Sequence, residues 1–291
     1  MPTEGLVTIL VITYNHKEYI KKCLDSILSQ TTNFNFKILI CDDSSTDGNE
    51  KICQDYSNKY PNIIDFTPRS KNLGVVENIY DGISKINTKY FATIEADDYW
   101  CDDTKLQKQI EILELNPDCS FCGHNTAWRN NDGTISPIFN KSSHNIQSKY
   151  SFPKTFNAKM FVKVHPSSRV YRTSLIDYTN LKMKDSLVWD SSSYWYFLSK
   201  GNLYYIDEVM SVYNYTLKGV FSGSTQKQQT RMAVQNILNI NKELDFKFNR
   251  IFSKLLLKYK KELGLNILDA LMLKLMPTTY YNKLTKLLTQ K

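Results

Sequence analysis

The sequence predicts an α/β fold in which a mostly parallel sheet carries helices on both faces. Three observations support this class. Short runs of apolar and β-branched residues alternate with segments whose apolar residues recur at helical spacing. The connections between these segments are short, as in βαβ units. Polar residues follow each predicted strand, and ligands bind sheets of this kind beyond the carboxyl ends of the strands.

Strands and helices alternate regularly through the first part of the chain. Four strands are predicted at LVTILVIT, FKILIC, NIIDF and YFATIEA, which are residues 6–13, 36–41, 62–66 and 90–96. The helices that follow them are predicted at residues 18–30, 49–59, 75–86 and 104–116. In the first helix Ile20, Leu24 and Ile27 fall on one face, which is the periodicity of an amphipathic helix.

The positive charge of the protein lies in its C-terminal part. The 291 residues include 37 basic and 29 acidic side chains, and the net charge is +8. Residues 246–291 hold 10 of the basic and 2 of the acidic side chains, which leaves 27 of each in residues 1–245. A uniformly basic nucleic-acid-binding protein is therefore not expected.

The same division predicts the domain organisation. We expect a domain over residues 1–224, with a first half at about 1–128 and a second half at about 129–224, followed by a basic helical appendage over residues 225–291. The hydrophobic content of 42% and the charged content of 23% are ordinary for a globular protein.

The C-terminal appendage has an amphipathic pattern. Ile251 and Leu255 belong to an apolar stripe, and Lys254, Lys258 and Lys261 share another face. Two interpretations stay open. The basic face can lie on an anionic membrane surface, or the helix can pack on the rest of the protein or on a second subunit. A homo-oligomer is one of the alternatives.

The cysteines and the N-terminus indicate the compartment. Of the six cysteines only Cys119 and Cys122 form a C-x-x-C pair, and no second pair completes a zinc site. They are typical of reduced cysteines in a cytoplasmic protein. The first apolar run is too short to span a bilayer and has no basic segment before it, so it predicts a strand and not a signal peptide. We expect a cytoplasmic location, with peripheral association at the inner face of the membrane as an addition.

Polar clusters follow the predicted strands. They are Thr13-Tyr14-Asn15, CDDSSTDG at 41–48, RSKNLG at 69–74 and EADDYW at 95–100. Because carboxyl ends of parallel strands meet at one edge of a sheet, these clusters predict a pocket rich in oxygen ligands. Each has a local alternative. The aspartates of the second cluster can cap the next helix, and KNLG can be an ordinary turn. Neither a G-x-G-x-x-G nor a Walker-type phosphate loop occurs, and the second cluster does not fit an EF-hand.

The last cluster predicts a divalent metal site. Glu95, Asp97 and Asp98 lie within four positions, where carboxylates repel one another unless a positive group lies between them. Mg²⁺ and Mn²⁺ accept carboxylate oxygens, and Mg²⁺ commonly binds one or two carboxylates together with substrate phosphates. We therefore predict Mn²⁺ or Mg²⁺ at Asp97 and Asp98. A solvated acidic turn is the alternative.

In this order, VITYN, CDDSSTDG, KNLG and EADDYW resemble the family 2 glycosyltransferases of the GT-A fold, which is Rossmann-like. The resemblance covers roughly residues 6–223. It implies an inverting glycosyltransferase that moves a hexose-type sugar from a nucleotide-sugar, with UDP-sugar expected, to a hydroxyl of a glycan or lipid-linked acceptor. It also implies a single displacement assisted by the metal ion.

The resemblance assigns roles to residues of the first half. Thr13, Tyr14 and Asp42 correspond to the residues that hold the nucleotide base. Glu95 and Asp97 correspond to the D-x-D motif, which holds ribose and metal-bound diphosphate, although Glu95 stands where the family has aspartate. The expected donor-binding set is Thr13, Tyr14, Asn15, Asp42, Asn72, Gly74, Glu95 and Asp97.

The second half carries WDSSSYWYFLSKGNLYYIDEVMSVYNYTLKGVFSG, which resembles the acceptor half of the family. Asp190 stands at the position of the family's catalytic base. A carboxylate within hydrogen-bond reach of an attacking hydroxyl can accept its proton. Asp190 can instead be a helix cap, and Asp185 is a rival base.

The second half also departs from the family after the SVY tyrosine. Many relatives carry Arg and His after the SVY tyrosine, whereas this chain has Asn214 and Thr216, so Lys218 is the candidate for the missing charge. His124 and His165 are candidates for the acceptor side, with a structural role as the alternative.

Two other functions fit parts of the pattern. A nucleotidyltransferase has a similar carboxylate and metal site, but it usually has a basic Gly-rich loop where this chain has TYNHKEY. A non-catalytic carbohydrate-binding protein would need no acidic cluster. The expected partners are the nucleotide-sugar donor and a glycan or lipid-linked acceptor, with no nucleic acid.

Overall fold

The computed structural model describes residues 5–130, 132–136, 148–151, 162, 164–177, 189–216, 223–259 and 280–283. The chain forms two compact units. The first contains residues 1–179 and 197–215, and the second contains residues 180–196 and 216–291. The second unit therefore includes the predicted appendage and also two short segments that the sequence pattern assigned to the first domain.

A parallel sheet forms the centre of the first unit. Its strands are β1 (Val7–Thr13), β2 (Phe36–Asp42), β3 (Ile64–Phe66) and β4 (Tyr90–Glu95), in the spatial order β3-β2-β1-β4. The helices between and after them are α1 (Ile20–Leu28), α2 (Asn49–Lys59), α3 (Val75–Ser84) and α4 (Lys105–Leu115). All three strand pairings are parallel. The predicted α/β class and the alternation of elements are confirmed.

Helices cover both faces of this sheet. Every residue of β1 is buried, because alternate side chains of a strand point to opposite faces. Val7, Ile9 and Val11 belong to the core that includes apolar residues of α1, α2 and α4. Leu10 points to the other face and lies against α3, where a Cβ atom added to Gly82 would be 2.5 Å from its Cδ1.

The sheet continues with mixed strands. These are β5 (Tyr99–Trp100), β6 (Cys119–Arg129), β7 (Ile135–Ser136), β8 (Lys149–Tyr150), β9 (Val170–Arg172) and β10 (Asn202–Asn214). The order continues from β4 through β9, β6 and β10 to β5. β9 is antiparallel to both β4 and β6, and β10 is parallel to β6. The carboxyl ends of β6 and β10 therefore lie at the same edge of the sheet as those of β1, β2 and β4.

Four buried aromatic rings join the parallel centre to these later strands. Tyr171 of β9 stacks on Phe91 at 4.9 Å and on Phe121 at 5.7 Å between ring centroids. Phe197, from the helix α5 (Trp189–Lys200), lies 4.4 Å from Tyr171. Aromatic pairs of this kind contribute about 0.5–1.5 kcal/mol beyond their buried area.

The described part of the second unit is helical, as the sequence predicts. It contains α6 (Gln226–Glu243), which begins with a capping box of Thr225 and Gln228, and α7 (Asn249–Leu256). The apolar face of α7 is covered by protein, since Phe252 is buried and packs edge-on against Trp195 at 5.5 Å. Among the described residues no helix has the length and apolarity needed to cross a membrane.

The lysine face predicted for the appendage is only partly described. Lys254 and Lys258 are exposed, and Lys261 lies outside the described residues. The buried face of α7 agrees with packing on protein, and contact of the lysine face with a membrane stays a prediction.

Candidate active site

The turn after β1 is fixed by hydrogen bonds to the loop after β2. Asn15 has a φ of 56°, a left-handed conformation that asparagine tolerates better than most residues. Its backbone N–H donates to Ser45 Oγ at 2.8 Å, and its side-chain oxygen accepts from the Thr46 N–H at 2.8 Å. The Tyr14 side chain is 45% exposed at this turn. Tyr14 and Asn15 are therefore accessible, as a donor-binding role requires.

Asp42 and Thr13 are buried in the same region and are held by Asn49. The side-chain amide of Asn49 donates to Asp42 Oδ2 at 2.8 Å and to Thr13 Oγ1 at 3.0 Å. Asp42 Oδ1 accepts from the Ser45 N–H at 2.8 Å. Both oxygens of Asp42 thus order the loop that supports the turn. Asp42 does not cap α2, whose N-cap residue is Gly48 and has no side-chain cap.

Asp43 connects this loop to the segment before α3, whereas the sequence pattern indicated it only as a possible cap of α2. Its carboxylate accepts from the backbone N–H of Leu73 at 2.7 Å and of Gly74 at 2.9 Å, while Asn72 Nδ2 donates to its carbonyl oxygen at 3.0 Å. Hydrogen bonds to a charged acceptor are the stronger kind. Gly74 has a φ of 85° and an open space at its Cβ position, so the backbone there is accessible. The signal for Asp43 in the sequence was its place directly after a buried strand.

The acidic cluster follows β4 at the same edge. Glu95 is half-buried at the end of β4, and Asp97 and Asp98 are buried, with exposed fractions of 6% and 2%. Asp97 Oδ1 is buried and has no hydrogen-bond partner among the described residues. Asp98 differs, because Oδ1 accepts from the Asn214 N–H at 3.1 Å and Oδ2 lies 3.4 Å from His165 Nδ1.

Asn214 ties the cluster to the end of β10. In addition to its backbone contact with Asp98, its side-chain amide donates to the carbonyl oxygen of Asp97. Asn214 therefore positions the two aspartates. Thr216 is half-buried, and Lys218, the candidate for the missing charge, lies outside the described residues.

Burial dominates the electrostatics of the two aspartates. It raises the pKa of Asp97, and the nearby charge of His16 opposes that rise. It also raises the pKa of Asp98 well above the ordinary value, with added repulsion from Asp97 and Glu95. No described lysine or arginine forms an ion pair with Asp97 or Asp98.

Asp97 fits the requirement of a divalent cation. A buried carboxylate oxygen without a protein partner is the kind of ligand that Mg²⁺ and Mn²⁺ take, and binding would relieve the repulsion in the cluster. The oxygens of Asp98 already contact protein groups. The described residues contain no group of three His, Cys, Asp or Glu side chains arranged to hold a metal ion. One carboxylate with substrate phosphates and water is sufficient for Mg²⁺.

The other predicted residues are placed as follows. The His165 ring is tilted against Tyr213 at 4.6 Å between ring centroids, and burial lowers its pKa to about 3, so it contacts Asp98 as a neutral ring. His124 is fully buried, and its Nδ1 lies 2.7 Å from the Asn125 carbonyl oxygen. Asp190 is half-buried in the first turn of α5, in the second unit, and Asp185 lies outside the described residues.

A buried lysine lies at the start of α4. Lysines of an amphipathic helix are expected on its exposed face, so the sequence pattern does not indicate this burial. Lys105 is fully buried, its Nζ donates to Gln109 Oε1 at 2.7 Å, and it lies 4.1 Å from the centroid of the Trp100 ring. Gln109 Nε2 donates to the Ser168 carbonyl oxygen at 2.8 Å, and Trp100 Nε1 donates to that of Ser167 at 2.9 Å. Lys105 therefore supports both the segment after Asp98 and the turn after His165.

The fold is that of a GT-A protein, and the family comparison agrees. The model of the family described as "Glycosyl transferase family 2" matches residues 8–177, so the chain belongs to that family.

Two relatives match parts of the chain, and the name of one describes a glycosyltransferase. The chain is 38% identical over 118 residues to Rv1520 of Mycobacterium tuberculosis, covering 40% of this chain and 34% of that protein. It is 29% identical over 174 residues to the uncharacterized glycosyltransferase MG025 of Mycoplasma genitalium, covering 57% of each. The chain thus spans between a third and three-fifths of these relatives.

Solved structures share the fold at low identity. S. aureus TarS 1-349 in complex with UDP-GlcNAc has a TM-score of 0.59 at 17% identity, covering 88% of this chain and 72% of that one. The mannosyltransferase PcManGT from Pyrobaculum calidifontis, in complex with GDP-Man and Mn²⁺, has a TM-score of 0.59 at 14% identity, covering 99% of this chain and 85% of that one.

Proposed function

We propose that this protein is an inverting glycosyltransferase that transfers a hexose-type sugar from a nucleotide-sugar, with UDP-sugar favoured, to a hydroxyl of a glycan or lipid-linked acceptor. The observation that carries the proposal is the unpartnered, buried oxygen of Asp97 at the carboxyl edge of a family 2 sheet. Neighbouring folds bound to UDP-GlcNAc and to GDP-Man with Mn²⁺ support the class of donor.

The donor site is proposed to lie along the carboxyl ends of β2, β1 and β4. The accessible Tyr14 and Asn15 would contact the base, supported by the buried Thr13 and Asp42 beneath them. The open backbone at Gly74 would face the nucleotide, because Asp43 holds that segment in place. Glu95 and Asp97 would hold the ribose and the metal-bound diphosphate.

A divalent ion would be held by Asp97 and would neutralise charge on the leaving diphosphate when bound. Asp98 is proposed to position Asp97, because its own oxygens contact Asn214 and His165. Holding the reacting groups in the right geometry supplies a large part of the rate acceleration in enzyme catalysis.

Asp190 is the proposed general base, which would take the proton of the acceptor hydroxyl as that oxygen attacks the anomeric carbon. Its support is the resemblance around WDSSSYW and a carboxylate that is only half-buried. Attack from the side opposite the leaving diphosphate would invert the anomeric configuration. A nucleotidyltransferase and a non-catalytic binding protein are less well supported, since the matched family is one of glycosyl transferases.

Calorimetric titration of UDP and of GDP, each with and without Mn²⁺, tests the proposal. We expect UDP to bind only with Mn²⁺, and we expect Asp97→Asn to weaken that binding about 100-fold or more, or about 3 kcal/mol. Asp98→Asn should weaken it about tenfold, because it acts through the position of its neighbour, as supporting residues of metal sites do.

Asp103→Asn is the matched control, since Asp103 is an exposed acidic residue of the same segment. It should leave nucleotide binding unchanged. Binding of GDP in place of UDP would reassign the donor. Failure of both nucleotides to bind in the presence of Mn²⁺ would refute the proposed function.

A further inference from the structure

Three aromatic rings gather at the carboxyl ends of β6 and β10. Trp128 lies edge-on to Tyr213 at 5.2 Å between ring centroids and is tilted against Tyr215 at 5.1 Å. The two tyrosines lie 6.3 Å apart, also edge-on. All three side chains are half-buried. We call Trp128, Tyr213 and Tyr215 the aromatic cluster.

The strand register explains why these rings meet. Trp128 and Tyr213 are direct partners in the parallel pairing of β6 with β10, so their side chains lie on the same face. Tyr215 follows two residues after Tyr213 and is held by a hydrogen bond of 3.0 Å from its N–H to the Arg129 carbonyl oxygen. The rings therefore sit on extended backbone that is anchored in the sheet.

The aromatic cluster lies next to the acidic cluster, on the side away from the turn after β1. His165 links them, since its ring is tilted against Tyr213 at 4.6 Å between ring centroids while Nδ1 lies 3.4 Å from Asp98 Oδ2. Asn214, the neighbour of Tyr213, contacts Asp98. In the sheet order the turn after β1 and the loop after β2 come before β4, and β6 and β10 come after it.

This strand order gives the donor nucleotide and the acceptor sugar different positions along the edge of the sheet. A nucleotide held at β1 and β2 and reaching Asp97 with its diphosphate would end before β9, so the rings at β6 and β10 would lie beyond the transferred sugar. Half-buried Trp and Tyr rings offer a rigid apolar surface with polar tips, which suits the C–H face and the hydroxyl rim of a pyranose.

We propose that Trp128, Tyr213 and Tyr215 form a stacking platform for a pyranose ring of the acceptor. This assignment rests on the proposed function, and it narrows the acceptor to a saccharide whose terminal or penultimate ring contacts the platform. The ring faces provide contact area, and the tyrosine hydroxyls provide hydrogen bonds to sugar hydroxyls.

Saturation-transfer NMR with four methyl pyranosides tests the platform. The probes are methyl β-D-glucopyranoside, methyl β-D-galactopyranoside, methyl α-D-mannopyranoside and methyl N-acetyl-β-D-glucosaminide, each offered with and without UDP and Mn²⁺. We expect at least one to bind, and Trp128→Ala to weaken that binding at least about tenfold, which corresponds to about 1.4 kcal/mol. Tyr215→Phe should retain most of the binding because it keeps the ring.

Tyr60→Ala is the matched control, since Tyr60 is a half-buried tyrosine that pairs with Tyr56 at 6.3 Å elsewhere in the first unit. It should change nothing. If Trp128→Ala fails to fold, Tyr215→Ala replaces it. The platform is refuted if no pyranoside binds the wild type, or if binding is equal in Trp128→Ala. UDP binding in the same samples keeps the outcomes separate, because its loss counts against the donor site and not against the platform.

Discussion

The buried ammonium group of Lys105 predicts a specific dependence of stability on pH. Burial lowers the pKa of Lys105 to about 7 from its ordinary value of 10.5. Between these pH values the unfolded chain binds a proton that the folded chain does not. The free energy of unfolding therefore rises with pH across this window, by at most about 1.4 kcal/mol per pH unit.

The window of about 3.5 pH units gives a total of about 5 kcal/mol. Well below pH 7 both states carry the proton, and the wild type bears the whole cost of burying the charge. Lys105→Met removes this cost with a side chain of similar length. It also leaves Gln109 Oε1 without its donor, which costs about 1–3 kcal/mol at every pH.

Urea denaturation of the wild type and Lys105→Met between pH 6.5 and 9.5 measures the effect. The advantage of the variant should shrink by about 3 kcal/mol between pH 7 and 9.5. The buried thiol of Cys122 and the ring of His124 face the same region, and their contributions largely cancel in the difference. Lys108→Met removes a half-buried lysine that pairs with Asp102 and Glu208, and it should show no such trend because those partners raise the pKa of Lys108. A difference that does not change with pH would refute the reasoning.

Three further predictions concern the site and its support. Asp43→Ala should lower the free energy of unfolding by about 1–3 kcal/mol, because two backbone N–H groups lose their acceptor. Asp55→Ala, at an exposed ion pair, should change the free energy of unfolding by less than about 1 kcal/mol. Equal urea midpoints for the two variants would contradict this prediction. Gly82→Ala should cost about 1–3 kcal/mol, since its Cβ would meet Leu10, and an unchanged thermal midpoint would show that Leu10 can move aside. Asp190→Asn should reduce release of UDP from a UDP-sugar about 10²–10⁴-fold while UDP binding stays unchanged, and full activity would exclude it as the base.

The sequence was informative where local pattern and burial agree. The strand runs and the helical spacing located β1 to β4 and α1 to α4, because a sheet covered on both faces requires continuous apolar strands. Because the carboxyl ends of parallel strands meet at one edge of a sheet, the sequence also predicted that Thr13, Asp42 and Asp97 lie at the same edge.

What the sequence could not show depends on contacts between distant residues. β9 has three residues and is antiparallel between two strands that run the same way, which no local period indicates. The difference between the contacts of the two neighbouring aspartates also depends on distant residues. Asp97 and Asp98 cannot be told apart in the sequence. In the structure Asn214 donates to an oxygen of Asp98, whereas Asp97 Oδ1 has no hydrogen-bond partner among the described residues.

The carboxylate of Asp43 has a consequence for how fast a ligand is captured. Because it holds the backbone before α3 by two hydrogen bonds, that segment loses its conformational freedom when the chain folds and not when a nucleotide arrives. Ligand binding to a surface ordered in advance loses less entropy. At the proposed donor site we therefore expect nucleotide association in a single kinetic step, with a rate that rises in proportion to nucleotide concentration and shows no plateau from a slow rearrangement.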